Sequence, residues 1–325
     1  SMADLIGEVD PIKVAEGRYL SDEFTLHYGL VPRTNRGIFA INELPDLAER
    51  IQVGLLNLLE ERDVQIRGYK IRLGLDLMFV ATANPEDYTN RGRLITPLKD
   101  RFGTQLRTHY PKKSEIEIEI MKQESSEFAT GDKVHVPPFM SEIIADISQQ
   151  ARKSSSINQR SGVSVRMSVA NYETMISSAT RRSLLLGEEQ VVPRISDLWA
   201  LTSSMAGKIE IDAFEPNAEK DLIPRLLSNA VLNVFRRTFS VDQLKEVVSY
   251  FDLPESVELG PSVGSKGYLT LVRKVPGLSE AVGKLDDSST AAVASSVELI
   301  LEGLHCSKKL NKREQSGKIG YFTKV

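Results

Sequence analysis

The 325-residue sequence holds a single cysteine, Cys306, so no disulfide can form within the chain, and a reducing cytoplasm is the expected setting. Its four histidines, His27, His109, His135 and His305, are scattered, and no Cys/His cluster has zinc spacing. Structural zinc is therefore not expected, and none of the four is assigned to catalysis or metal. No apolar run reaches the ~18 residues that span a bilayer, and the N-terminus lacks the basic-then-apolar order of a signal peptide. An excess of one charge is missing as well. Lys and Arg total 41 against 44 Asp and Glu, a net charge of -3, which gives the whole chain no footprint for nucleic acid or an anionic membrane.

What is present is a chain with 41% hydrophobic residues, able to bury a sizeable core in two or three domains. The runs Ile38-Phe-Ala-Ile41 and Leu77-Met-Phe-Val-Ala-Thr-Ala83 read as short parallel strands covered by helices on both faces. Between them Pro45 suits a first helical turn, Asp46 complements its dipole, and Ile51, Leu55, Leu58 and Leu59 fall on one face. This is a strand-helix-strand unit. Residues 64–73, "VQIRGYKIRL", alternate around Gly68-Tyr69 as a hairpin with a two-residue turn, inserted before the second strand. Residues before Gly37 read as loops and short strands.

Beyond Pro111 the texture turns helical. "KSEIEIEIMKQE" (113–124) alternates at period two over Ile116, Ile118 and Ile120, yet its context predicts a helix. "PFMSEIIADISQQARK" and "SVRMSVANYETMISSATRRSLLLG" predict helices directly, the second with Val169, Tyr172, Met175, Ile176 and Ala179 on one face and Gly187 as its stop. Further helices are predicted from about residue 215, whereas residues 254–290 are richer in Gly, Ser and Pro. The basic tail "SKKLNKREQSGKIGYFTK" is expected to be a solvated, flexible end.

Four pieces carry candidate chemistry. Asn42-Glu43 ends the first strand, where one group of such a pair holds magnesium through water and the glutamate polarises an attacking water. Asn84 ends the second strand and offers a neutral amide to orient the same water. Arg101 in "LITPLKDRFG" presents a permanently charged guanidinium suited to phosphoryl charge from a neighbouring subunit. Arg166 in "SGVSVRMSVANYE" opens a helix that reaches back to a nucleotide. Singly, each has a plainer explanation: a satisfied turn at Asn42-Glu43 or Asn84-Pro85, a surface ion pair at Arg101, an exposed helix charge at Arg166. The ordered set is the informative feature.

With these residues in order, the chain resembles the AAA+ ATPases, in the branch of the magnesium chelatase ATPase subunit and MoxR-like proteins. "GIFAINELPDL" resembles Walker B, "VQIRGYKIRL" the pre-sensor hairpin, "ATANPED" sensor 1, "LKDRFG" the arginine-finger segment and "SVRMSVANYE" sensor 2, a likeness covering roughly residues 3–210. The resemblance implies an α/β P-loop-type core with β-hairpin insertions over 1–110, an α-helical lid over 111–210 and a mainly helical C-terminal region over 211–325. It implies ATP and Mg2+ as cofactors, with Glu43, Asn84 and Arg101 catalytic, Asn42 and Arg166 binding the nucleotide, and Asn42 at the metal. It further implies a homo-oligomeric ring, often hexameric, that remodels a partner or drives metal insertion into one, with a von Willebrand A domain protein as a frequent companion.

Two departures qualify this likeness. Asn42 stands where the family usually has aspartate, so magnesium is expected to be held more weakly. No G-x-x-x-x-G-K-[ST] loop precedes Gly37, which leaves the core N-terminally incomplete, and the tag-like Ser1-Met2 suggests truncation. "GPSVGSKG" at 260 and "GLSEAVGKL" at 277 have the wrong glycine spacing and read as surface turns. The chain as it stands is therefore expected to bind ATP poorly and to expose a raw sheet edge. The other readings are a non-hydrolytic scaffold, in which Asn42 marks a decayed site, and a DNA-remodelling motor using Arg67, Lys70 and Arg72 on the hairpin. A solvated hairpin face explains those three charges more simply, so nucleic acid is not an expected partner.

Overall fold

The computed structural model describes residues 1–16, 26–65, 72–84, 93–126, 133–158, 162–211, 218–252, 257–315 and 317–323. The protein is mixed α/β, mostly helical, with small sheets, and divides into two compact units, Ser1–Thr108 and His109–Val325. No helix among the described residues is long and apolar enough to cross a membrane.

The first unit opens with α1 (Met2–Ile6), β1 (Gly7–Val9), α2 (Pro11–Ala15), β2 (Leu26–Tyr28) and α3 (Leu30–Arg33), so short helices accompany the expected short strands. β1 and β2 pair antiparallel, and there Gly7 is required: its φ of 119° lies outside the L-residue region, and a Cβ would meet the His27 carbonyl. β3 (Ile38–Ile41), α4 (Glu49–Glu61) and β6 (Met78–Ala81) form the predicted strand-helix-strand unit, with β3 and β6 parallel and Ile38 opposite Met78. Pro45 falls in a separate 3-10 turn, Leu44–Asp46, ahead of α4. β4 (Asp63–Gln65) and β5 (Arg72–Gly74) are the arms of the predicted hairpin. Its turn at Gly68-Tyr69, with Arg67 and Lys70, lies outside the described residues. α5 (Thr96–Arg101) completes the unit.

The core of this unit is Val31, Phe39, Leu44, Leu55, Leu58, Leu75, Leu94 and Leu98, with Phe79 stacked between Phe39 and Phe102 at 5.7 and 5.8 Å. Gln52 is buried within it and satisfied on three sides: it donates to the Leu47 and Arg93 carbonyls and accepts from the Ile95 amide. The β3–β6 pair was expected to be covered on both faces. Only the face carrying Phe39 and Phe79 is buried or half-buried; on the other, Ile38, Met78 and Val80 are 66%, 62% and 38% exposed. Period-two alternation of exposure along parallel strands departs from the usual two-sided burial.

The second unit contains α6 (Ser114–Glu124), α7 (Pro138–Lys153), α8 (Val165–Leu186), a 3-10 turn (Ile195–Ala200), α9 (Leu201–Met205) and α10 (Ala218–Thr238). A further 3-10 turn (Val241–Leu244) leads to α11 (Lys245–Tyr250), β7 (Val257–Leu259), α12 (Ser265–Lys274), α13 (Leu278–Gly283) and α14 (Thr290–Cys306). β8 (Asn311–Gln315) and β9 (Lys318–Phe322) close an antiparallel sheet of order β7-β9-β8. Residues 111–210 and 211–325, expected as lid and C-terminal region, share one hydrophobic core. At its centre α14 is buried on every side from Ala291 to Leu304. Gly303 is needed there because the Phe235 ring of α10 lies where a Cβ would stand.

One expectation for this unit is corrected. The described residues of the tail, 307–315 and 317–323, are no flexible end: they form β8 and β9, bury Leu310, Ile319 and Tyr321, and tie Lys312 to Glu302 at 3.0 Å. The glycine strings at 260 and 277 contain the expected exposed turns, and each leads into a helix, with Ser265 buried. The helix over 113–124 forms as context predicted, but Ile116 is exposed while Glu117 and Met121 point inward. The reason is electrostatic. Arg152 grips Glu117 through two 2.8 Å bonds, Ser168 donates to the same carboxylate, and Tyr110 lies 4.5 Å from the guanidinium.

A larger buried network joins Arg182, Glu188, Arg194, Asp197 and Ser265. Burial pushes the Glu188 carboxyl up, but the Ser265 hydrogen bonds and the charges of Arg194 and Arg182 more than offset it, leaving its pKa below the usual value. On α14, Glu298 accepts from Tyr268 at 2.5 Å and Glu302 from Tyr321 at 2.7 Å. Burial first, and the facing carboxylates next, push both phenols well above their ordinary range.

Candidate functional site

The parallel pairing of β3 with β6 ends at Ile41 opposite Ala81, so the next residues, Asn42 and Thr82, leave the sheet side by side. Thr82 then fastens the first strand's exit residue by residue. Its backbone N–H donates to the Ile41 carbonyl at 2.9 Å and its carbonyl accepts from the Leu44 amide at 2.9 Å. Its hydroxyl donates to Asn42 Oδ1 at 2.6 Å and accepts the Glu43 amide at 3.0 Å. Glu43 itself sits in the left-handed region, φ 55° and ψ 54°, a conformation few non-glycine residues adopt. Asn42, Glu43 and Asn84 are all exposed at the C-terminal ends of the strands, the end at which open α/β sheets take ligands.

Of the sequence-predicted residues, Asn42 and Glu43 are thus brought together through the neighbouring strand, and Asn84 follows Thr82 by two positions. Arg101, at the end of α5, is engaged within its own unit: Nε and Nη2 donate to Glu60 of α4, and Nη1 to the Pro97 carbonyl at 2.9 Å. Arg166 belongs to the second unit. It is exposed in the first turn of α8, where the Ser164 hydroxyl caps its amide at 3.2 Å.

Thr82 is the residue that sequence reasoning passed over. A threonine at a strand end reads as β-branched filler, and only the parallel register, which sets it opposite Asn42, signals its role.

Asn42, Glu43 and Asn84 are two amides and one carboxylate exposed at neighbouring strand ends. They do not by themselves build a metal centre. Asn42 Oδ1, the oxygen expected to meet magnesium-bound water, accepts the Thr82 hydroxyl on one of its two lone pairs, and Glu43 is the one carboxylate of the pair. Among the described residues no group of three or more His, Cys, Asp or Glu side chains is gathered to hold a metal ion. No protein-family model matches the chain, and no curated protein matches it.

Proposed function

We propose that this chain is a AAA+-type ATPase subunit of the magnesium chelatase/MoxR-like branch, coupling ATP hydrolysis to remodelling of, or metal insertion into, a partner protein. The observation that supports this reading is the Thr82-anchored pair Asn42-Glu43 at the exit of two adjacent parallel strands, with Asn84 just beyond. In this reading Glu43 takes a proton from the attacking water and Asn84 holds that water in line. Magnesium, when bound, accompanies the nucleotide and neutralises its phosphate charge. Arg101 serves a neighbouring copy in a ring, hexameric by resemblance, and Arg166 reports nucleotide occupancy. A von Willebrand A domain protein is the companion the resemblance suggests. To reach a neighbour, Arg101 has to leave Glu60, and an ion pair this accessible costs only about 0–1 kcal/mol to break.

The test is Glu43→Gln in the full-length natural protein. ATP turnover is expected to fall by roughly 100-fold or more, the worth of a general base, with ATP still bound. Unchanged turnover removes Glu43 from the chemistry, and a wild-type protein that turns over no ATP removes the ATPase reading.

The Glu60 pairing of Arg101 and the engaged Asn42 oxygen favour a second reading, a non-hydrolytic scaffold that keeps the fold for assembly. A wild-type protein that assembles into rings yet turns over no ATP would establish it.

A further inference from the structure

We propose that Thr82 is the positioning residue of this site, and that through it position 42 presents a hydrogen-bond donor to a phosphoryl oxygen of the substrate in place of a metal ligand. The substrate class rests on the ATPase reading above; the geometry does not. A backbone N–H can only donate, so at the 3.0 Å contact with Glu43 the Thr82 oxygen is the acceptor. Its hydroxyl proton is then free for Asn42, 2.6 Å away. The side-chain group of Asn42 that receives it is the oxygen, because an amide NH2 has no lone pair to offer.

In the relay Glu43 N–H to Thr82 O–H to Asn42 Oδ1 the oxygen of the amide faces Thr82. The NH2 group is turned away from Thr82, on an exposed side chain, and it donates to no acceptor among the described residues. A donor cannot ligate a cation, but it matches an anionic oxygen. Aspartate at the same position would accept the same hydroxyl on one oxygen and leave the other for a cation. The neutral amide reverses the polarity of the group on offer.

The same hydroxyl sets the base. It holds residues 42 and 43 on either side of the left-handed turn, while the backbone of Thr82 holds residues 41 and 44. Threonine can be changed to valine with its shape nearly kept, or to serine with its hydroxyl kept.

The first measurement needs no turnover. In the chain of this sequence, amide hydrogen exchange at Glu43 is expected to quicken about tenfold or more in Thr82→Val and to stay near wild type in Thr82→Ser. Equal protection in all three proteins overturns the relay. Magnesium alone, at millimolar concentration, is expected to leave the Asn42 side-chain NH2 resonances in place; a saturable shift there overturns the donor assignment.

The second measurement uses the full-length natural protein. Thr82→Val is expected to lower kcat by roughly 10- to 100-fold with a smaller change in KM for ATP, the loss usual for a group that orients a ligand. Thr82→Ser should recover most of it. Asn42→Asp should lower the magnesium concentration needed for half-maximal rate. If Glu43→Gln is dead while Thr82→Val is fully active, the ATPase reading stands and the Thr82 proposal falls. If wild type itself turns over no ATP, the ATPase reading falls, and the exchange result alone decides the relay.

Discussion

The two units use polar side chains in opposite ways. In the first, Asn42, Glu43 and Asn84 stand exposed at strand ends above a small core, and one face of the β3–β6 pair is bare. In the second, Glu117, Arg182, Arg194, Asp197, Glu298 and Glu302 are buried among helices, each with a partner of opposite charge or a donor. Polar groups kept in water cost little. Charges taken out of water are committed to one geometry, since an imperfect fit leaves several kcal/mol unrepaid. The first unit leaves its polar strand ends in solvent, and the second commits its charges to holding its shape.

The contrast is sharpest at Glu117. Its replacement by alanine leaves Arg152 charged, buried and unpaired, and should destabilise the second unit by about 3–5 kcal/mol. Urea unfolding followed by a probe in each unit should show the second unit's transition moving to lower denaturant with the first unit's unchanged. A common shift of both would mean that the units do not unfold independently.

Acid should act on the same unit next. The folded-state pKa of Glu188 lies below its ordinary value of 4.5, so the carboxylate contributes stability above that pH. The contribution should fade as pH falls through the folded pKa, when the network with Arg182 and Arg194 loses its anion. Thermal melts from pH 6 downward are expected to show this loss in wild type, and a shallower one in Glu188→Gln.

The smallest stability effect belongs to the first unit. Glu60→Ala frees Arg101 from its pair, and the cost should stay under about 1 kcal/mol by urea titration. If Arg101 serves a neighbouring copy, the same change should leave ATP turnover intact or raise it, whereas Arg101→Ala should abolish it.

Much of the fold was legible where apolar periodicity is strong. The parallel strands, the α4 face with Leu55 and Leu58, and helices α7 and α8 with the stop at Gly187 all follow from residue spacing. The inward face of α6 was hidden because its key residue is a glutamate, and period-two isoleucines suggested otherwise. The C-terminal hairpin was hidden because Lys312 and Arg313 dominate its composition, while the residues that anchor it, Ile319 and Tyr321, are few. At the candidate site the exposed side chains were legible as types. The hydroxyl that joins two of them was not, because its partner is 40 residues away and only tertiary pairing brings them together.

The left-handed backbone of Glu43 has a consequence for anyone who engineers this protein. Glycine adopts that conformation without steric penalty, so a screen rewarding heat resistance alone will drift toward it, by up to about 1 kcal/mol. The sturdier molecule so obtained would have lost the only carboxylate side chain at that turn's left-handed position, and with it any chemistry Glu43 carries.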